Sequence, residues 1–596
     1  MTQGFVQIAI FCGALVAVMP LLGTYMARVY QNERVFLTPA LGGVERVTYR
    51  LLRVDPQRGQ DWKAYARSLI VFSGLFWLVL YVILRTQTLH PGNPQSFHSA
   101  PWDVTFNTAS SFVTNTNWQF YGGETTMTYV SQMAGLAVQN FISAAVGIVV
   151  VVALIRGIAA RRARAEDTEP AENGAAGSLG NFWQDLIRTL LYVLVPISIV
   201  GALVLVSQGV VQTLSPYVGF TGVAGGTGQL ALGPVASQEI IKELGTNGGG
   251  FFNVNSAMPF ENPTAFSNFV EVFAILAIPV SLTWTYGRMV GSRRQGLSIF
   301  AAMSLLFIAG VVVVYIAEMH GTPAQHAAGV HTQLFDGSTG GNMEGKEQRF
   351  GIANSALWSA VTTVTSCGAV NAALESLTAI GGLVPFTNLS LSETVFGGVG
   401  TGLYSMLMFV LLAVFLGGLM VGRTPEYLGK KIEPREIKLV AVAAFFTPFA
   451  VLLGSSLALA TTYGKPSIYA SGPQGFSETM YAYLSQANNN GSAFAGYTGF
   501  VQPNAGNLGS HGVTFADLLG GLTMMAGRYV PILAVLAVAG SLIRKRAAPA
   551  GLGTMRTDTP TFTVLLLGTV VLVGALTFFP ALLLGPIVQG MTTRLF

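Results

Sequence analysis

Along this chain, long apolar runs alternate with short polar joins. Ten runs of roughly 20 mostly apolar residues stand at about 4–27, 66–86, 127–155, 185–208, 267–287, 297–318, 401–421, 438–460, 517–543 and 562–588. Each is long enough for a helix to cross the hydrocarbon core of a bilayer. The first has no basic leader and no small-residue cleavage site, so it reads as a retained span rather than a signal peptide. The pattern predicts an all-α polytopic membrane protein of ten spans.

The joins after spans two, four, six and eight are long, and each repeats one succession. A helix-like piece too short to span comes first, then an abrupt polar or glycine-rich stretch, then the next span. PWDVTFNTASSF leads into Val113-Thr114-Asn115-Thr116-Asn117-Trp118. Ser237 to Leu244 leads into Gly245-Thr246-Asn247-Gly248-Gly249-Gly250. NSALWSAVTTV leads into Thr365-Ser366-Cys367-Gly368-Ala369, and FSETMYAYLSQA into Asn488-Asn489-Asn490-Gly491-Ser492. Each unit reads as a membrane–pore–membrane repeat. Four of them use eight spans and leave one extra helix at each end. The expected divisions are 1–61 (first helix and loop), repeats at 62–160, 181–295, 296–432 and 433–546, a linker at 161–180, and a last helix at 547–596.

Irregular backbone at membrane depth survives only where it is buried in protein or lines a cavity. Four such segments meeting on one axis present carbonyl oxygens that replace the water shell of a cation. Each short helix aims its partially negative C-terminus there. Glycine permits the backbone angles required, and Thr, Asn and Ser keep the lining polar. No Asp or Glu lies within the four segments. An uncharged carbonyl site suits a large, weakly hydrated monovalent ion rather than Ca²⁺ or Mg²⁺, which take carboxylates. A single glycine-rich stretch would be read as close helix packing. Four at equivalent places, one with Asn488, Asn489 and Asn490 in a row, favour a shared ion site.

Composition supports the membrane reading: the chain is 51% hydrophobic and 10% charged, against about 25% charged in soluble domains. The formal charge is +5, and 25 of the 32 Lys and Arg lie in or beside the odd-numbered joins. Arg46, Arg50, Arg53, Arg58, Arg161, Arg162, Arg164, Arg544, Lys545 and Arg546 are among them. By the positive-inside rule those joins are cytoplasmic and both termini external. Juxtamembrane placement accounts for the basic clusters, so no nucleic-acid partner is expected. Cys12 and Cys367 form neither a disulfide framework nor a metal spacing.

Catalytic signatures are weak. Gly340 to Lys346 has P-loop spacing, but Glu347 stands where Mg²⁺ needs Ser or Thr. DKTG, HExxH and GxSxG are absent from the sequence. His320, His326 and His331 read as decoration of a solvated loop. Residues from Ala160 through the 161–180 stretch read as a flexible linker. Glu124, Glu261, Glu375 and Glu393 either draw cations to an outer mouth or anchor loops.

The stretches VTNTNWQFYGGET, GTNGGGFFNVNSAMPFENP, TSCGAVNAALESLTAIGGLVP and NNNGSAFAG, with GRTPEYLGKKI at 422–432, resemble the potassium-binding subunits of the bacterial Kdp-type potassium-transporting ATPase. The resemblance covers the whole chain and implies the superfamily of Trk, Ktr and HKT transporters. It implies K⁺ as the transported ligand and a place in the bacterial inner membrane. It implies no ATP site in this chain. A partner P-type ATPase catalytic subunit would hydrolyse ATP, with an accessory subunit for nucleotide use and a small single-span subunit. Carried over by motif, the central filter positions are Asn115 and Thr116, Asn247 and Gly248, Cys367 and Gly368, Asn490 and Gly491. Thr114, Thr246, Ser366 and Asn489 stand beside them, and Asn117 and Gly249 complete the lining. Gly417-Gly418 marks an expected break in span seven, and Arg423 beyond it is either a barrier to direct passage, as the resemblance favours, or a topology residue. A self-contained K⁺ channel or symporter of the same architecture shares every filter argument and is the alternative.

Overall fold

The computed structural model describes residues 2–160, 177–332, 340–499, 514–549 and 554–591. Arg161, Arg162, Arg164 and most of the expected linker lie outside them. Ten helices among the described residues are long and apolar enough to cross a membrane. They are Thr2–Tyr30, Trp62–Arg85, Ser131–Ala159, Phe182–Ser207, Ala265–Met289, Arg293–Ala327, Thr401–Met420, Pro434–Ala460, Phe515–Leu542 and Pro560–Gly590. Number and order match the ten apolar runs. The sixth is longer than its run because Arg293–His320 turns at Gly321 into the short helix Pro323–Ala327, which Thr322 caps.

The spans fall into two layers. In the third, fifth, seventh and ninth, 89%, 72%, 67% and 61% of the most apolar stretch is buried, against 22% to 44% in the other six. Four helices therefore form an inner ring and six surround it. Outer spans present Leu21, Val564 and Leu576 outward, as a lipid-facing surface requires. Inner spans approach closely at small residues. A methyl on Gly157 would press on the Ala539 backbone, and one on Gly147 on the Val399 carbonyl. Two small antiparallel hairpins complete the described fold, Val218–Thr221 with Thr227–Leu230 and Glu426–Tyr427 with Lys430–Lys431.

Span seven departs from expectation. A further helix, Ala379–Ser390, begins at Thr378, whose hydroxyl accepts the Gly381 N–H. A non-helical stretch at 391–400 then precedes Thr401–Met420. Within that stretch Ser392, Glu393, Phe396, Gly397 and Gly400 all have positive φ. The break is therefore here and not at Gly417-Gly418, which remain inside a continuous helix. Their lack of a side chain serves packing: a methyl on Gly417 would sit 3.2 Å from Leu565 and 3.3 Å from Met555, and one on Gly418 3.1 Å from Pro425.

Candidate functional site

Four short helices lead into the polar segments: Trp102–Val113, Val235–Leu244, Gly351–Val364 and Gly472–Ala487. Their capping residues Thr114, Gly245, Thr365 and Asn488 have nearly the same backbone angles, φ −87, −80, −98 and −86 with ψ −1, −4, 0 and 12. The next residue is left-handed each time: Asn115 φ 72, Thr246 φ 48, Ser366 φ 50 and Asn489 φ 51. The N–H one further on then reaches back five residues. Thr116 bonds the Ser111 carbonyl at 2.9 Å, Asn247 that of Lys242 at 2.8 Å, Cys367 that of Thr362 at 3.0 Å and Asn490 that of Ser485 at 2.8 Å. This is the six-to-one bond of a Schellman helix end. A second left-handed residue follows: Asn117 φ 56, Gly248 φ 92, Gly368 φ 95 and Gly491 φ 91. Non-glycine residues rarely hold such angles, so five of them at matching places mark one backbone design used four times.

This backbone fixes a register that motif reading misses in one copy. Thr116, Asn247, Cys367 and Asn490 are structural equivalents, as are Asn117, Gly248, Gly368 and Gly491. Pairing Asn115-Thr116 with Asn247-Gly248 slips the first segment by one residue. The equivalent of Thr246 there is Asn115, and Thr114 corresponds to Gly245.

The four segments close into a ring in chain order. A methyl on Gly248 would run into the Cys367 carbonyl, one on Gly368 into that of Asn490, and one on Gly491 into that of Thr116. Gly249 faces Asn117 across the remaining joint. Side chains tie the joints. The Asn115 amide donates to the Thr246 carbonyl at 2.9 Å, and the Asn247 amide to the Asn115 side-chain oxygen at 2.7 Å. Asn490 donates to the Thr362 carbonyl at 2.8 Å, and Asn489 to the Thr116 hydroxyl at 2.9 Å. A cavity of about 720 Å³ is lined by Asn117, Gly248, Gly368 and Gly491, one residue from each segment. Asn115, Thr116, Thr246, Asn247, Ser366, Cys367, Asn489 and Asn490 are all buried.

On the other side of the ring lies the 391–400 stretch. The Val399 N–H donates to the Thr246 hydroxyl at 2.8 Å, and the Gly397 N–H to the Val364 carbonyl at 2.8 Å. Beside it Arg528, buried within span nine, donates to the Thr401 hydroxyl at 2.7 Å and to the Ser143 carbonyl at 3.2 Å. The Ser143 hydroxyl in turn donates to Asn115 at 2.8 Å. A guanidinium therefore stands two hydrogen bonds from the ring. Sequence reading left Arg423 as either a barrier charge or a topology residue. That residue lies past the end of its helix and is exposed. The signal for Arg528 was available as one arginine inside an apolar span, a placement that is costly and marks function.

Other candidates resolve by burial. Lys346, the lysine of the P-loop-like run, pairs with Glu318 at 2.7 Å with both side chains fully buried, so it serves the fold. Of the four glutamates, Glu375 lines the cavity. Glu124 accepts the Asn253 N–H at 2.9 Å. Glu261 is buried against Lys242, and Glu393 is buried within the 391–400 stretch, so neither stands at an outer mouth. His320 and His326 hydrogen-bond to carbonyls of Ile316 and His320.

A protein from Rhodospirillum centenum named potassium-transporting ATPase potassium-binding subunit is 51% identical over 590 residues, covering 99% of this chain and 98% of its own. Proteins of the same name from Koribacter versatilis and Sorangium cellulosum are 48% and 50% identical, each at 99% coverage of this chain and at 98% and 99% of their own. The fold is also similar to the crystal structure of the potassium transporter TrkH from Vibrio parahaemolyticus, with a TM-score of 0.50, 14% identity, and coverage of 87% of this chain and 97% of that one. The family model described as potassium-transporting ATPase A subunit matches residues 9–591, and the chain belongs to that family.

Proposed function

We propose that this chain is the K⁺-binding, non-catalytic subunit of an ATP-driven potassium uptake complex. The ring of four left-handed segments is its K⁺ filter, open to the outside through the 720 Å³ cavity. The observation that carries this reading is the ring itself. It repeats one backbone four times, holds no ionised side chain in its segments, and leaves carbonyls as ligands. Thr116, Asn247, Cys367 and Asn490, with Asn117, Gly248, Gly368 and Gly491, surround the ion. The stretches at 62–160, 181–295, 296–432 and 433–546 act as repeats around it. The chain sits in the inner membrane with both termini outside.

ATP is hydrolysed on a partner P-type ATPase subunit, aided by an accessory subunit and a small single-span subunit. The 391–400 stretch and Arg528 beneath the ring oppose direct passage to the cytoplasm, which favours transfer to the partner over a self-contained channel or symporter. Purification from native membranes tests this. K⁺-stimulated ATP hydrolysis in the co-purified complex, with no K⁺ flux through this chain alone in liposomes, is the expected result. ATP-independent flux through the isolated chain would overturn it in favour of a channel.

A further inference from the structure

Behind the second filter segment lies a group of ionisable side chains that selection by carbonyls does not require. Its centre is Lys242, at the position the other short helices fill with Ser111, Thr362 and Ser485. The hydroxyls of Thr362 and Ser485 accept the N–H groups of Gly368 and Gly491, each at 2.9 Å. An ammonium has no acceptor to offer. Lys242 instead sits 2.7 Å from Glu239, 3.2 Å from Glu261 and 4.0 Å from Glu243, and 3.3 Å from the Asn255 side-chain oxygen. Glu271, from span five, joins the group. One oxygen each of Glu239, Glu243 and Glu271 lies within 4.8 Å of the others. All five ionisable side chains are fully buried.

Glu271 decides what the group binds. Neither of its oxygens has a hydrogen-bond donor among the described residues. The hydroxyl of Ser256 is directed at Glu239, at 2.8 Å. Four carboxylates against one ammonium would leave three uncompensated charges out of water, which is untenable. A metal ion fits poorly. Ca²⁺ takes six to eight oxygens and Mg²⁺ keeps several waters, whereas these three carboxyls are enclosed. Lys242 stands between them and Asn255, which lines the outer cavity. Protons need neither room nor a ligand shell, and a carboxyl O–H supplies the missing donor.

We propose that Glu239, Glu243 and Glu271 form a proton-binding site that exchanges a proton for K⁺ bound in the adjacent filter, an inference that rests on the filter reading above. The link is Cys367, the middle residue of the third segment, whose thiol donates to Glu243 at 3.5 Å. A cation arriving in the ring favours the ionised form of a carboxyl beside it. One K⁺ enters, and one proton leaves toward the outer cavity, Lys242 giving a proton to Glu261 as it takes one from Glu239, so the charge of ring and cluster together is conserved. The other charged groups near the cluster are Arg349, whose guanidinium donates to the Ala257 carbonyl, and Glu124. The ionisable side chains Arg156, Asp185 and Arg188 of the neighbouring spans three and four pair with one another or with Glu45.

The K⁺-bound state holds fewer protons, so K⁺ affinity rises with pH, by up to about tenfold per unit for one proton released. The test has two arms on the purified complex. In the first, an infrared difference spectrum between K⁺-loaded and K⁺-free protein should show loss of a protonated carboxyl band, and Glu271→Gln should abolish that change. In the second, K⁺ affinity measured across neutral pH should climb in the wild type and flatten in Glu271→Gln and Glu243→Gln, while discrimination against Na⁺ persists in Glu271→Gln. An unchanged carboxyl band, a pH-independent affinity, an identical slope in Glu271→Gln, or one tightly held divalent cation per chain would each overturn the proposal. Failure of the filter reading shows separately, as normal K⁺ affinity in Gly248→Ala.

Discussion

Gly248→Ala puts the filter reading at risk with a single methyl group. The residue has φ 92, and a methyl there would fall 2.5 Å from the Ala369 nitrogen, 2.6 Å from the Gly368 carbonyl carbon and closer still to the Cys367 carbonyl oxygen. No side chain tolerates such contacts, so the Cys367 carbonyl must shift by on the order of 1 Å in a close-packed interior. The left-handed angle costs alanine about 1–3 kcal/mol, and the forced backbone shift about 1–3 kcal/mol more. If only about 2 kcal/mol of this falls on the ion-bound state, K⁺ affinity drops about 30-fold. The displaced carbonyl also relaxes discrimination against Na⁺. The assay is the K⁺ dependence of ATP hydrolysis and of rubidium-tracer uptake by the complex. Gly368→Ala and Gly491→Ala, which press on the Asn490 and Thr116 carbonyls, should act alike. Gly291→Ala is the control: its φ is 75 but nothing lies within 4 Å, so it should lower stability and leave K⁺ affinity alone. A Gly248→Ala protein within threefold of wild type in affinity, with selectivity intact, would refute the reasoning.

Arg528→Met removes the buried cation beneath the ring and should let K⁺ leak without ATP, read as tracer flux into vesicles; a tight variant with normal coupling would return Arg528 to a structural role. Glu318→Ala strands Lys346 as an unpaired buried charge and should cost about 3–5 kcal/mol, seen as a large fall in the Tm of the detergent-solubilised protein; a melting point within a degree or two of wild type would contradict the pairing. Burial, and then the charge of Lys545, push the Lys430 ammonium down to about 8, although it donates to the Gly157 and Leu542 carbonyls at 2.7 and 2.8 Å. Its folded value is below the unfolded one, so the unfolded chain binds more protons between about pH 8 and the ordinary lysine range. Stability should therefore rise with pH through that window, and Lys430→Met should erase the rise; a wild-type melting curve that falls there would reverse the sign of the argument.

The ten spans were legible because crossing a bilayer demands long apolar helices and little else. The four short helices were legible for a related reason: amphiphilic stretches too short to span, each ending in residues unsuited to a helix. What the sequence hid was conformation chosen against propensity. Asn117 occupies a left-handed site that the other copies fill with glycine, so the motif slid by one residue there. Glycine misled in span seven as well. Gly417 and Gly418 suggest a break, yet they sit in an intact helix because Met555, Leu565 and Pro425 need the space. The real break spreads over 391–400, where Ser392, Glu393 and Phe396 adopt positive φ without announcing it by residue type. Arg528 and Lys242 were visible as letters. The partners of Arg528 come from distant parts of the chain, and although Lys242 meets Glu239 one helical turn away, no spacing rule brings it to Glu261 across the loop.

The left-handed residues at the ends of the short helices connect the ring to the 391–400 stretch and to Arg528. Thr246 and Ser366 hold angles that cost such residues on the order of 1–3 kcal/mol, so something must hold them. For Thr246 it is the hydroxyl, which donates to the Gly245 carbonyl at 2.8 Å and accepts the Val399 N–H at 2.8 Å. The strained residue of the second wall is thus tied directly to the 391–400 stretch. Asn115 is tied to Ser143 and, through it, to Arg528. Asn489 instead bonds laterally to Thr116 and to the Met524 carbonyl at 3.3 Å. Walls one and two are therefore tied to the 391–400 stretch and to Arg528, while wall four rests on its neighbours. Displacing the 391–400 stretch would free Thr246 to relax toward ordinary angles and would turn its carbonyl away from the ring. A downward movement of that stretch would in this way distort the ring above it.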